Sequence, residues 1–209
     1  YTENDYLSYD SSKAITGLYV LTQADDWYHK NLYYVSMDGD REKMANDITD
    51  IEIRNERIYY RNADGDLYTA KLDGSTLIDD TKISRNVDRS FMSSADGKYV
   101  YYIKDSNGKN SLYRYNSAAS DEPEKIASNV DRNGYYLSTD GKTVVYLEDI
   151  EEIDDYFDCG TLKYATDDSE PVKISTDGNN WAEIPVELTN GYETTYSYLY
   201  QKTEITQNE

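Results

Sequence analysis

The chain has 209 residues, long enough to bury a core as one domain or two. It carries 21 Lys+Arg against 41 Asp+Glu, a formal net charge of -20, and that field repels nucleic acid and anionic membrane surfaces. Cys159 is the only cysteine, so an intramolecular disulfide and a cysteine-rich zinc site are excluded, and no apolar run nears the ~18 residues of a membrane-spanning helix.

Tyrosine supplies most of the bulk, with 24 Tyr against 2 Phe and 2 Trp. Rings with a polar tip suit strands that are half buried. Disordered chains are poor in aromatics, so the high charge does not imply disorder. The chain opens on Tyr1, without a basic or apolar leader, and reads as a segment whose targeting sequence would lie outside it.

Taken in order, the first unit (5–46) offers "DYLSYD" (5–10) as an innermost strand. "ITGLYVLTQ" (15–23), "NLYYVSMDG" (31–39) and "REKMA" (41–45) follow as second, third and fourth strands. The second unit (48–86) repeats the pattern as "DIEIRNE", "RIYYRN", "DLYTAKLDG" and "TKISRN". The third (87–129) reads "RSFMSS", "KYVYYIKD", "SLYRYNS" and "EKIASN", and the fourth (130–176) "GYYLST", "KTVVYLED", "TLKYATDD" and "VKIST". Residues 82–102 and 125–146 are near copies. Two further strands, in "NWAEIPVEL" and "ETTYSYLYQK", fall within 180–203 and complete or start another unit.

Apolar and polar residues alternate with period two in "KYVYYIKD", and β-branched and aromatic types dominate, which predicts strands. Asp-Gly recurs at 38–39, 64–65, 73–74, 96–97, 140–141 and 177–178, each at a strand end, where it supplies the positive φ of a tight turn. "NADGDLY" (62–68) has the wrong spacing for an EF-hand loop and reads as such a turn. Four strands in each ~40–50 residues is the spacing of a propeller blade. The expected fold class is therefore all-β, a β-propeller-like array of four-stranded antiparallel blades, about four to five in this chain.

"SSADGKYVYYIKDSNGKNSLYRYN" and "STDGKTVVYLED" with "GTLKYATDD" resemble the WD40-like, TolB-type propeller repeat. "RIYYRNADGDLYTAKLDGS" is similar to the YY-and-LY repeat of an uncharacterised bacterial propeller family with low-density-lipoprotein-receptor-like blades. The resemblance covers about residues 15–176 and departs from the TolB pattern where Ala95 and Thr139 replace its proline. It implies an envelope-associated or extracellular bacterial location. It fixes architecture far more than activity.

In an up-down-up-down blade the second-to-third and fourth-to-first connections share one end. The longest second-to-third connections are "TQADDWYHKN" (22–31) and the stretch through "LEDIEEIDDYFDCG" (147–160), so both project from that end. Long loops on a rigid scaffold are where binding resides. Trp27, Tyr28, His29, Tyr156 and Phe157 are the ligand-binding candidates, suited to sugar stacking or a protein hot spot. Asp149, Glu151, Glu152, Asp154, Asp155 and Asp158 are candidate ligands for a divalent cation such as calcium, or a docking patch for a basic partner; the competing reading is a solvated acidic loop.

Catalytic motifs are lacking: His29 is the only histidine, no nucleophile elbow or phosphate loop occurs, and acidic neighbours blunt Cys159 as a thiolate. The expected function is a non-catalytic binding or scaffold module for a protein or cell-surface carbohydrate, without a cofactor. A carboxylate-dependent glycoside-processing enzyme is the first alternative, with Asp50 and Glu52 the carboxylates on an inner strand. A structural spacer that self-associates through an open sheet edge is the second.

Overall fold

The structure is a computed structural model that describes residues 17–23, 29–106, 108–119, 122–154, 157–167, 169–179, 184–190 and 193–199. The expected innermost strand at 5–10 lies outside them. The chain forms two compact units, Tyr1–Val100 with Tyr115–Pro123, and Tyr101–Arg114 with Glu124–Glu209.

Every element among the described residues is a β-strand. Sheet one holds β1 (Gly17–Gln23), β2 (Lys30–Ser36), β3 (Arg41–Arg54), β4 (Arg57–Asn62), β5 (Leu67–Asp73) and β6 (Thr76–Ser84) in chain order. Sheet two holds β7 (Val87–Ser93), β8 (Tyr99–Ser106), β9 (Lys109–Asn116) and β10 (Glu124–Ser128). Sheet three holds β11 (Val130–Leu137), β12 (Thr143–Asp154), β13 (Phe157–Thr166) and β14 (Ser169–Asn179), and β15 (Ile184–Asn190) pairs with β16 (Glu193–Leu199). Neighbouring strands pair antiparallel, as short connections require.

Sheet one is two repeats sharing a strand. The first half of β3 pairs with β2 as an outer strand, and its second half pairs with β4 as an inner one. Asp47, with φ 55°, stands where β3 changes partner. Asn86 (φ 54°) and Asn129 (φ 56°) hold the same step before β7 and β11. Asp and Asn tolerate this left-handed region better than other side chains, because they hydrogen-bond locally. The "Asn-Val-Asp" of the two near copies is thus the crossover from one repeat to the next.

Each outer strand carries the same irregularity. Leu32, Leu67, Leu112 and Leu162 pair with Ala45, Ser84, Ala127 and Ser175. The residues after those leucines, Tyr33, Tyr68, Tyr113 and Lys163, pair with Lys43, Lys82, Lys125 and Lys173. Met44, Ile83, Ile126 and Ile174 are left over as bulged residues. A bulge bends the strand and ends regular pairing, and it recurs here once per repeat.

The turn between first and second strands is also duplicated. The Ser94 hydroxyl donates to Asp96 Oδ1 at 2.7 Å, and the backbone N–H groups of Lys98 and Tyr99 donate to Ser94 Oγ. Ser138 donates to Asp140 Oδ1 at 2.7 Å, and Thr143 N–H donates to Ser138 Oγ at 2.9 Å. The serine thus closes the turn that a proline would otherwise stiffen. Gly97 has φ 70°, and a Cβ there would lie 2.9 Å from the Arg54 carbonyl, so this position takes only glycine without displacement.

Each unit has a buried apolar cluster of its own. In the first unit, Leu32 packs with Ile58, Tyr60, Ala70 and Leu72, and Tyr19 and Leu21 border them. In the second, Val145, Leu147 and Leu162 are buried together with Tyr164 and Ile174 alongside.

Candidate binding surface

Tyrosine at one position of the second strand links one repeat to the turns of the next. Register places Tyr19 opposite Tyr34, Tyr59 opposite Thr69 and Val145 opposite Tyr164, and sequence alignment adds Tyr101 to the set. The Tyr19 hydroxyl donates to the Gly74 carbonyl at 3.0 Å, Tyr59 to Gly97 at 2.9 Å and Tyr101 to Gly141 at 2.9 Å. Burial pushes the Tyr59 and Tyr101 phenols up to about 12, so both are neutral donors at physiological pH. The next tyrosine faces the other way. Tyr60 stacks on Tyr68 with centroids 5.2 Å apart, and Tyr102 on Tyr113 at 5.5 Å. These rings build the scaffold.

Arg114 adds a charged tie in the second unit. Its guanidinium is almost buried, with Nη2 2.6 Å from Glu124 and Nη1 2.8 Å from Asp167. The Asp167 pair is a charge contact without a well-angled hydrogen bond. Burial alone would lower the Arg114 pKa, but Tyr101 and Glu124 outweigh it and raise the value, keeping the group charged.

The opposite end of the strands carries the second-to-third hairpins and the crossovers, and the backbone ties these together. Ala63 N–H donates to the Asp47 carbonyl at 2.8 Å, and Val87 N–H to the Gly65 carbonyl at 2.8 Å. Asp149 N–H donates to the Asn129 carbonyl at 3.0 Å. Within the "NADGD" turn, Asp66 N–H donates to Asn62 Oδ1 at 2.9 Å. Ion pairs flank the ties: Arg61 Nε lies 3.0 Å from Asp50 and Lys82 Nζ 2.5 Å from Asp66, and Lys163 pairs with Glu148. The Asp66 hydrogen bond holds the Lys82 pKa above its usual value. The first two ties fix the β4–β5 hairpin to the crossovers before and after its repeat, and the third holds β12 to the crossover before β11.

His29 is half-buried and immediately precedes β2. Trp27, Tyr28, Asp155 and Tyr156 lie outside the described residues. The segment 148–160, expected as a long loop, is a strand on both sides: β12 runs to Asp154 and β13 begins at Phe157. Cross-strand pairing, which satisfies backbone groups that a loop would leave to water, explains the difference. The register sets Glu151 opposite Cys159, Glu152 opposite Asp158 and Asp154 opposite Phe157, and the backbone alone is described there. Asp149 is exposed, with φ 53°. Among the described residues, no group of three or more His, Cys, Asp or Glu is arranged to hold a metal ion.

The inner-strand carboxylates already have partners. Asp50 is held by Arg61, while Glu52 accepts from Ser93 N–H at 3.0 Å and lies 3.3 Å from Arg54. Sequence reading singled out both carboxylates but missed their partners. The signal for Arg61 was its place in "RIYYRN", on the strand that pairs with "DIEIRNE", where it falls opposite Asp50.

No protein-family model and no curated protein matches the sequence. Among solved structures, that of the tricorn protease is similar, with TM-score 0.54 and 11% identity over 82% of this chain and 21% of that chain. The uncharacterized protein lmo1340 from Listeria monocytogenes EGD-e gives TM-score 0.51 and 13% identity over 88% of this chain and 59% of that one. TolB from Acinetobacter baumannii gives 0.47 and 11%, covering 89% and 52%. The chain thus spans from about a fifth to about three fifths of these three structures. At these identities the likeness is one of fold. The chain is an all-β protein built of β-propeller-like, four-stranded antiparallel blades.

Proposed function

We propose that this chain is a non-catalytic binding module of the bacterial cell envelope, of the TolB-like or low-density-lipoprotein-receptor-like YY/LY repeat type. It recognises a protein or a cell-surface carbohydrate at the end bearing its second-to-third hairpins. The supporting observation is, in the first unit, the pair of backbone ties from Ala63 to Asp47 and from Val87 to Gly65, which fix the β4–β5 hairpin to its crossovers, and, in the second unit, the tie from Asp149 to Asn129. A base fixed in this way presents variable segments at low ordering cost. Trp27 and Tyr28 in the first unit, and Tyr156 and Phe157 in the second, are the proposed contact residues. The engagement of Asp50 and Glu52 by Arg61, Arg54 and Ser93 supports binding over glycoside chemistry, which needs one carboxyl free to hold a proton.

The test titrates the protein with purified muropeptides, teichoic-acid fragments and a panel of defined glycans, following tryptophan fluorescence and calorimetric heat. Saturable binding is expected, with a loss of at least about tenfold in Trp27→Ala/Tyr28→Ala, the size of one hot-spot contact. Binding unchanged in that variant, or turnover of a glycan, contradicts the proposal.

A further inference from the structure

The Asp-Gly pairs that turn the chain are also places where it can react with itself. With no Cβ on the following residue, the glycine nitrogen reaches the Cγ of the aspartic acid. The N–Cγ bond forms, the carboxyl hydroxyl leaves as water with the amide proton, and a five-membered succinimide remains. Water then opens the ring at either carbonyl. One opening restores aspartate, and the other gives isoaspartate, whose main chain is one methylene longer. Neither step needs an oxidant or a cofactor. A hydrogen bond on the glycine N–H or on the carboxyl must break first, so each such bond slows the reaction.

The turns hold these atoms unequally. At 96–97 and 140–141 both are engaged. Asp96 Oδ1 accepts from the Ser94 hydroxyl at 2.7 Å and from Lys98 N–H at 3.0 Å, and Asp140 Oδ1 accepts from Ser138 at 2.7 Å and from Lys142 N–H at 3.0 Å. Gly97 N–H donates to the Ser94 carbonyl at 3.0 Å, and Gly141 N–H to that of Ser138 at 2.8 Å. At 38–39 and 64–65 the glycines are engaged, through Ser36 and Asn62, while Asp38 and Asp64 are exposed. At 73–74 neither atom has a hydrogen bond among the described residues. Asp73 ends β5 exposed, and Gly74, with φ 56°, opens the short loop to β6. A Cβ built on Gly74 would meet nothing within 4 Å, so nothing crowds the ring that would form there. The same Gly74 carbonyl accepts the Tyr19 hydroxyl at 3.0 Å, which ties β1 to this hairpin.

We propose that Asp73–Gly74 is a site of spontaneous isoaspartate formation, and that its conversion releases Tyr19 from Gly74. The added methylene enters the main chain immediately before Gly74 and displaces the carbonyl that Tyr19 holds. The proposal does not rest on the ligand-binding reading, since the β5–β6 hairpin lies at the opposite end of its strands from the β4–β5 hairpin. The test incubates the whole chain in heavy-oxygen water at mildly acid pH, folded and in urea. Mass spectrometry then scores each Asp-Gly peptide for isoaspartate and for the solvent oxygen that ring opening inserts. In the folded chain Asp73 should convert at least about tenfold faster than Asp96 and Asp140, a factor that one lost hydrogen bond supplies. Asp38 and Asp64 should fall between. In urea the rates should converge, because glycine follows every one of these aspartates. Protein converted at Asp73 should show faster amide exchange in β1 than unconverted protein. Conversion at Asp73 no faster than at Asp96, the same order of rates in urea, or β1 exchange unchanged after conversion overturns the proposal.

Discussion

Tyr59 and Tyr101 each spend a ring on the core and a hydroxyl on the carbonyl of a glycine in the following turn. Replacing Tyr101 with Phe keeps the ring and orphans the Gly141 carbonyl, at a cost of about 1–2 kcal/mol in urea unfolding. Val145 stands at the equivalent position, so Val145→Ala removes apolar volume without breaking any such bond. The same phenols set the alkaline limit. Their pKa values are raised by burial from 10.0 in the unfolded chain to about 12 when folded, so the fold favours the neutral form. That stability is fully present below pH 10 and is lost as pH rises through about 12. Tyr60 and Tyr146 shift the same way, by burial first and then by Asp80 and Glu148 respectively. Phenolate absorbance should therefore show an early group of tyrosines and a late group whose ionisation coincides with loss of the far-ultraviolet strand signal. Titration of all tyrosines in one early step would contradict this.

Outer strands are where a sheet risks pairing with a stranger, and this chain protects its own in a repeated way. Lys43, Lys82, Lys125 and Lys173 are exposed at matching positions, each beside a bulged apolar residue. Charge and bulge together spoil an edge as a template. The double substitution Lys43→Val/Lys125→Val should leave the folded signal intact and raise light scattering on storage; unchanged scattering would mean that the bulges suffice. The bulges themselves were not legible in the sequence. "Lys-Ile-Ser" alternates like any strand, and the extra residue appears only once the register with the facing leucine is known. The turns were legible, because Ser94, Asp96 and Gly97 make their bonds within a few residues. The stretch at 148–160 read as a loop because its acids suggest solvent, whereas its strands are held by partners across the hairpin.

The molecule as a whole couples two kinds of order. Repeats were visible from the copies at 82 and 125, since each copy must form the same sheet and crossover. The partners of Tyr59 and Tyr101, about 40 residues onward, were not visible, because a hydroxyl does not record where its acceptor lies. At the hairpin end, the backbone ties from Ala63 to Asp47, from Val87 to Gly65 and from Asp149 to Asn129 emerged only with the fold. Those ties carry the functional argument, for a binding end must be stiff before its loops can be selective. Amide hydrogen exchange read residue by residue tests this most directly. Protection at Ala63, Val87 and Asp149 should match that of the central strands β4, β8 and β12. Exchange of those three amides at the rate of an open loop, while the strands stay protected, would contradict the account.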